Sequence, residues 1–451
     1  MLSPLSHSEL ELIGRPDSLA VSMQLLPGFR DFYPEDCARR NYIIATWREV
    51  ARRYGFVEFD GPMLETVELY KKKSGGELVG QLFDFVDKGE RHVTLRPEMT
   101  PTLARMIIAR ERDFKKPIKW FCAPQFFRYE KQQRGRLREF GQLNCDLIGE
   151  SNVAADAEMV ALAIDMLRAF GLSGEDFVVR VSDRDAWKAF LDAHGNFDEA
   201  GLAAFLQIVD KIERNKPEAT EAALQPFGIT LEEVRAFIAN PGTHFERFNA
   251  LAGELDARGL KGFYQLDPTI VRGLAYYTGL VFEVFDRKKT LRAVAGGGRY
   301  DNLLSAMSDG KVTLPAIGFG MGDVVLGELI DATPAAAAKM KAWIAQRHAA
   351  DVYVVIANET RRVDALGLVQ QLRGLGFRVD YPLSAAKVGK QFQAAEQAGA
   401  RFAVVIGDEW PQIKLKTLAT REESLVALDE LPARLGSTAL TSHSLPGFLA
   451  S

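Results

Sequence analysis

Cysteine and histidine are scarce in this sequence, three and six respectively among 451 residues. No two of Cys37, Cys122 and Cys145 have metal-ligand spacing, and no histidine lies near enough to complete a zinc site. A zinc- or disulfide-stapled scaffold is thereby excluded, and the sparse thiols suit a reducing cytoplasm. Long apolar runs are missing as well; none approaches the roughly 20 residues that cross a bilayer. Residues 1–22 are polar and lack the basic and apolar regions of a signal peptide, so they are expected to form a flexible extension, with Met23 an alternative start. Nor does one sign of charge dominate. The net charge is -4, so any contact with nucleic acid must come from local patches such as Lys71-Lys72-Lys73, Lys115-Lys116 or Lys414/Lys416. Each of these patches reads equally well as a solvated face.

What is present is ordinary globular composition, 47% hydrophobic, in a chain long enough for about two to four domains. Apolar positions at helical spacing predict a helix over 36–56, with Asp36 as N-cap and Gly55 as stop. Another helix is expected from Thr100 to Ala109. Strand-like runs at 118–129 and 139–148 flank the turn KQQRGRLR, which reads as a long hairpin with a cationic tip. A helix follows over 153–170. Residues 184–258 read as successive amphipathic helices, an insertion. Strands return over 262–285 and 291–295, ahead of Gly296-Gly297-Gly298, and 315–322 opens into a helix near 323–331. The expected layout is an α+β catalytic domain with an antiparallel sheet (23–331, insertion 184–258), an Ala-rich linker (332–345), a C-terminal α/β domain with a mostly parallel sheet (346–435) and a tail (436–451).

The hairpin holds the densest chemistry. Alternate residues of a strand share a face, which groups Arg128 with Glu130, and Arg138 with Phe140, Gln142, Asn144 and Asp146. Guanidinium, aromatic ring, amide and carboxylate in a row could hold a nucleotide triphosphate and a small zwitterion. Periodicity alone fits a solvated hairpin with cross-strand ion pairs just as well.

The segment Phe127 to Asp146 resembles motif 2 of class II aminoacyl-tRNA synthetases in the form found in histidyl-tRNA synthetases. Other segments are similar to the same family. The run from Tyr54 to Pro62 resembles motif 1; Thr94-Leu95-Arg96-Pro97-Glu98-Met99-Thr100 resembles its LRPE-x-T loop. Arg272 to Gly279 (RGLAYYTG) and Gly297-Gly298-Arg299-Tyr300-Asp301 (GGRYD) resemble its histidine signatures, and the C-terminal module resembles its anticodon-binding domain. The resemblance spans about Pro27 to Leu435 and implies a histidine–tRNA ligase using ATP with Mg²⁺, acting on L-histidine and tRNA-His as a cytoplasmic homodimer, with no membrane contact and no metal held permanently by protein ligands. It implies histidine contacts from Glu98, Met99, Thr100, Gln142 and Asp146, an imidazole pocket of Tyr276, Tyr277 and Tyr300, and catalytic arginines Arg128 and Arg272 that also contact histidine. On the ATP side it implies Arg128, Glu130, Arg136, Arg138 and Phe140, the last stacking on adenine.

Departures from the family pattern are Ala275 for aspartate in RGLDYYTG, Asp146 for the usual glutamate, and Val325 where motif 3 has an ATP-binding arginine. The first and last together resemble a subfamily with GFGxGDxV. Arg287 and Arg292 are the candidates for the missing cation. A rival resemblance is the histidine-sensing regulatory subunit of ATP phosphoribosyltransferase, which would keep the histidine pocket while losing the ATP arginines and the anticodon module.

Overall fold

The computed structural model describes residues 24–436 except 72–75, 132, 134, 242–245 and 273–275. The expected N-terminal extension, the tail beyond Gly436, and Lys72, Lys73, Arg134 and Ala275 lie outside the described residues. The chain divides into two compact units, Met1–Ala337 and Ala338–Ser451.

The first unit opens with helix α1 (Pro34–Arg53), which buries Tyr42, Trp47 and Val50. It starts before the expected cap: proline's fixed φ suits a first helical position, and Glu35 and Asp36 fall in the first turn, where carboxylates favour the helix dipole. Gly55, at φ 75°, turns the chain out of it. Strands β1 (Val57–Glu58), β2 (Leu64–Thr66), β3 (Phe83–Val86) and β4 (His92–Leu95) lead to helix α2 (Thr100–Ala109). Strands β5 (Ile118–Cys122), β6 (Gln125–Phe127) and β7 (Glu139–Ile148) form the expected hairpin, interrupted at Ala123-Pro124. Helix α3 (Val153–Ala169), capped by the Asn152 side chain, packs on α1. After β8 (Phe177–Asp183) come the insertion helices α4 (Arg184–Asp192), α5 (Glu199–Asp210), α6 (Pro217–Leu224), α7 (Leu231–Ala239) and α8 (Glu246–Ala257). They enclose their own core around Trp187, Phe205, Val234 and Phe237. Strands β9 (Tyr264–Leu266), β10 (Thr278–Asp286), β11 (Ala295–Arg299) and β12 (Ala316–Gly322) and helix α9 (Asp323–Ala332) complete the body.

Nine strands make one sheet in the order β1-β5-β7-β12-β11-β10-β8-β9, with β6 paired to β7. Its centre is antiparallel as expected; the edge pairs β1–β5 and β8–β9 are parallel. The glycine cluster, read as a lead-in after a strand, is itself the buried strand β11. Glycine is a poor strand former, so the pairing comes from β10 and β12 on either side. Under it Arg299, 2% exposed, pairs with Asp156 of α3 and with Asp301, and Arg247 of α8 joins Asp156 at 2.6 Å. This buried network fastens the insertion to the body.

The stretch read as a linker is helical, α10 (Pro334–His348), as an alanine-rich run favours, and the boundary between the units falls within it. In the second unit β13 (Val352–Ile356), α11 (Arg362–Gly374), β14 (Val379–Asp380), α12 (Val388–Gln397), β15 (Phe402–Ile406), β16 (Ile413–Thr417) and β17 (Glu423–Val426) give a sheet ordered β14-β13-β15-β16-β17. The expectation of a mostly parallel sheet needs correction. β13 is parallel to β14 and β15, but β15–β16 and β16–β17 are antiparallel, because short turns replace crossover helices after β15.

Candidate active site

A cavity of about 810 Å³ opens on the sheet, between the β6–β7 turn, the ends of β10–β12 and the end of insertion helix α5. Arg128, Glu130, Arg136, Phe140 and Gln142 line it from the hairpin, as the strand alternation predicts for its Phe140 face. Arg128 hangs from the Pro97 carbonyl through Nε at 3.0 Å and lies 5.3 Å from the Phe140 ring centroid. Arg136 pairs with Glu130 at 2.7 Å. An aromatic ring between guanidinium groups suits a flat heterocycle joined to phosphates.

Arg138 does not join them. Strand β7 begins at Glu139, so the alternation does not extend back to Arg138. Its guanidinium stacks 4.1 Å from the Tyr129 ring, and its Nε donates to the Glu130 carbonyl at 3.3 Å. It holds the outer side of the hairpin instead.

Arg272 faces the cavity from β10's approach, with backbone in the left-handed region at φ 57°. It pairs with Glu283, and a Cβ on Gly296 would lie 2.6 Å from its Cζ. Only a glycine in β11 lets the guanidinium lie against the strand. Burial opposes its charge, but the Glu283 carboxylate more than offsets that and raises its pKa, so the cation is secure. Glu283 was not picked out from the sequence; its signal is a charge in the middle of the apolar strand TGLVFEVFD, apart from the terminal Asp286.

Beside Arg272 lies a buried cluster of tyrosines and carboxylates. Tyr276 donates to Glu98 at 3.0 Å, and its ring meets those of Tyr277 and Tyr300 at 5.2 and 6.0 Å. Tyr300 donates to Asp146 Oδ1, while Asp146 Oδ2 is buried with no hydrogen-bond partner. Burial pushes the Asp146 carboxyl up to about 7, the Tyr300 bond works against that rise, and the nearby Glu98 charge adds to it. The side chain fits here because β12 carries Gly318, whose Cβ would strike Asp146 and come 3.0 Å from the Tyr300 oxygen. Thr100 opens α2 two residues after Glu98. Met99 is fully buried against Cys122 and Phe126, a core residue beneath the loop.

Asp323 and Val325 stand at the start of α9. Asp323 accepts from the Gly141 N–H at 2.9 Å and from Arg30 at 2.7 Å, fastening the helix to β7, whereas Val325 presents an apolar side chain to the cavity. Arg292 lies on that wall; Arg287 instead donates to the carbonyls of Gly174 and Gly262.

A family profile described as histidyl-tRNA synthetase matches residues 28–323, and one described as an anticodon binding domain matches 351–438. A mixed sheet bearing an arginine-lined cavity, matched by such a profile and in one chain with such a domain, marks an aminoacyl-tRNA synthetase. The histidine–tRNA ligase of Opitutus terrae is 44% identical over 92% of this chain and 98% of its own, and that of Natronomonas pharaonis 38% over 91% and 97%. The crystal structure of histidyl-tRNA synthetase from Nostoc sp. PCC 7120 is 25% identical, with a TM-score of 0.71 over 92% of this chain and 98% of that one. The chain belongs to the histidyl-tRNA synthetase family.

Proposed function

We propose that this protein is a histidine–tRNA ligase that activates L-histidine with ATP and transfers it to the 3′ end of tRNA-His. The observation that carries the reading is that the tyrosine–carboxylate cluster adjoins the arginine-lined cavity, Tyr277 lying beside Arg272. The orphan Asp146 oxygen and Glu98, enclosed by tyrosines, suit an imidazole N–H and an ammonium, next to a cavity whose arginines suit phosphates. The histidine carboxylate attacks the α-phosphorus in line, the bond to pyrophosphate breaks, and the mixed anhydride results. This step needs cations where charge develops, not a general base. Arg128 and Arg272 supply them, Arg136 receives distal phosphate and Phe140 stacks on the base. A ribose hydroxyl of the tRNA then attacks the activated carbonyl, and AMP leaves. Mg²⁺ carried on the triphosphate would neutralise phosphate charge, with Glu130 and Glu283 among the carboxylates on the cavity wall.

We further read the chain as a class II enzyme of the subfamily with RGLAYYTG and no motif 3 arginine, acting as a cytoplasmic homodimer. Exposed Val57, Met63 and Leu64 around Pro62 support the dimer, because such apolar side chains gain by being covered. The regulatory-subunit reading has only Val325 in its favour. Against it stand Arg128, Arg136 and Arg272 on the cavity and the anticodon-domain match. ATP–pyrophosphate exchange that requires histidine is the expected behaviour; exchange absent with histidine, while histidine still binds, would favour the regulatory reading.

A further inference from the structure

The cavity's arginines differ in one respect. Arg136 has Glu130, Arg272 has Glu283, Arg180 has Asp267 and Arg214 has Asp210; Arg128 is 4.0 Å from Glu130. Among the described residues, Arg292 is the cavity arginine without a carboxylate in ion-pair contact. Its guanidinium donates instead to Oε1 of Gln133, a neutral amide in the β6–β7 turn. It therefore brings to the cavity wall a positive charge that no carboxylate contacts directly and that Glu130 offsets only at a distance.

Its position is also specific. A Cβ on Gly135 would lie 3.2 Å from Val325 Cγ2 and 3.6 Å from Arg292 Cδ, so turn, valine and arginine converge at one point. Val325 can offer phosphate nothing there. Partial burial, and then the nearby Arg136 charge, push the Arg292 guanidinium pKa down, with Glu130 working against them. Two like charges that share only the single Glu130 carboxylate gain from a polyanion placed between them. Arg287 is tied to backbone carbonyls away from this wall, and Lys289 lines the cavity without reaching the point where Gly135, Val325 and Arg292 converge.

We propose that Arg292, acting beside Arg136, binds the terminal phosphates of the nucleotide at the part of the cavity wall that Val325 leaves apolar. The proposal rests on the ATP-dependent reading above, but its test is separable. Arg292→Ala, Arg292→Lys and Arg287→Ala are compared with the unsubstituted chain for the KM values of ATP and histidine and for equilibrium binding of ATP and AMP. Loss of a charged hydrogen bond to phosphate should raise the ATP KM of Arg292→Ala about 10- to 100-fold, with the histidine KM and AMP affinity within about twofold. Arg292→Lys should recover part of the loss, and Arg287→Ala should track the unsubstituted chain. An unchanged ATP KM in Arg292→Ala, or an equal loss of ATP and AMP binding, overturns the assignment. If the unsubstituted chain binds ATP yet shows no histidine-dependent exchange, the proposed function falls while the comparison of ATP with AMP still decides the role of Arg292.

Discussion

Tyr276 and Glu98, 178 residues apart in the chain, meet through a hydrogen bond of 3.0 Å from phenol to carboxylate. The contact joins the loop ahead of α2 to the segment entering β10. It fixes Glu98, 6% exposed, against the tyrosine cluster. Tyr276→Phe keeps the ring and removes that donor. The histidine KM should rise by about tenfold or more, a charged hydrogen bond's worth, with the ATP KM within about twofold. Pyrophosphate exchange at varied histidine and varied ATP checks both; an unmoved histidine KM would show that Glu98 is held well enough without Tyr276.

Arg272→Ala removes a cation from the reacting end of the cavity. A fall of about 100- to 1000-fold in the rate of adenylate formation is expected, the range for losing a transition-state donor. Arg272→Lys should not restore it, because an ammonium cannot lie flat over Gly296 and bond Glu283 together. Single-turnover measurement of adenylate separates this from slower product release.

Gly318→Ala puts a methyl group into Asp146 and Tyr300. Overpacking of this kind costs about 1–3 kcal/mol and should lower the melting temperature measured by calorimetry. Histidine affinity should fall with it, since the two displaced side chains belong to the tyrosine–carboxylate cluster. Gly322→Ala, on the same strand with nothing within 4 Å of the added Cβ, should melt like the unsubstituted chain.

The Asp146 carboxyl, held protonated up to about 7, gives histidine binding a pH dependence. Its ionised form is the better acceptor for an imidazole N–H, so affinity should climb as pH rises through 7. For stability the sign is opposite. Between its ordinary value of 3.8 and about 7 the folded state keeps a proton that the unfolded chain releases, so this group lowers stability as pH rises across that window. Asp146→Asn should remove this component of the histidine-binding profile and leave only the titration of free histidine, near 6.5. An identical profile in the variant would place the titration elsewhere.

The sequence exposed what periodicity and motif spacing can carry. Helices α2 and α3 and strand β12 lie within a residue or two of their expected bounds, because their apolar faces recur with the right period. Strand β11 was illegible, since glycine leaves no side-chain pattern to read and its neighbours impose the extended form. Arg138 misled because alternation predicts a face only inside the strand, which starts one residue later. Glu283 showed only as a charge inside an apolar strand, and Arg292 only as one of two candidate cations beside Arg287. What they do depends on Arg272 and Gln133, partners fixed by the tertiary fold.

Of the three cysteines, Cys122 and Cys145 are buried in the sheet with thiols pushed well up by burial, while Cys37 on α1 is partly open to solvent. A thiol must ionise and be reached before it reacts. The native protein is therefore already a single-site labelling substrate. A maleimide dye or spin label directed at Cys37 would mark the outer layer of the catalytic unit without any engineered cysteine.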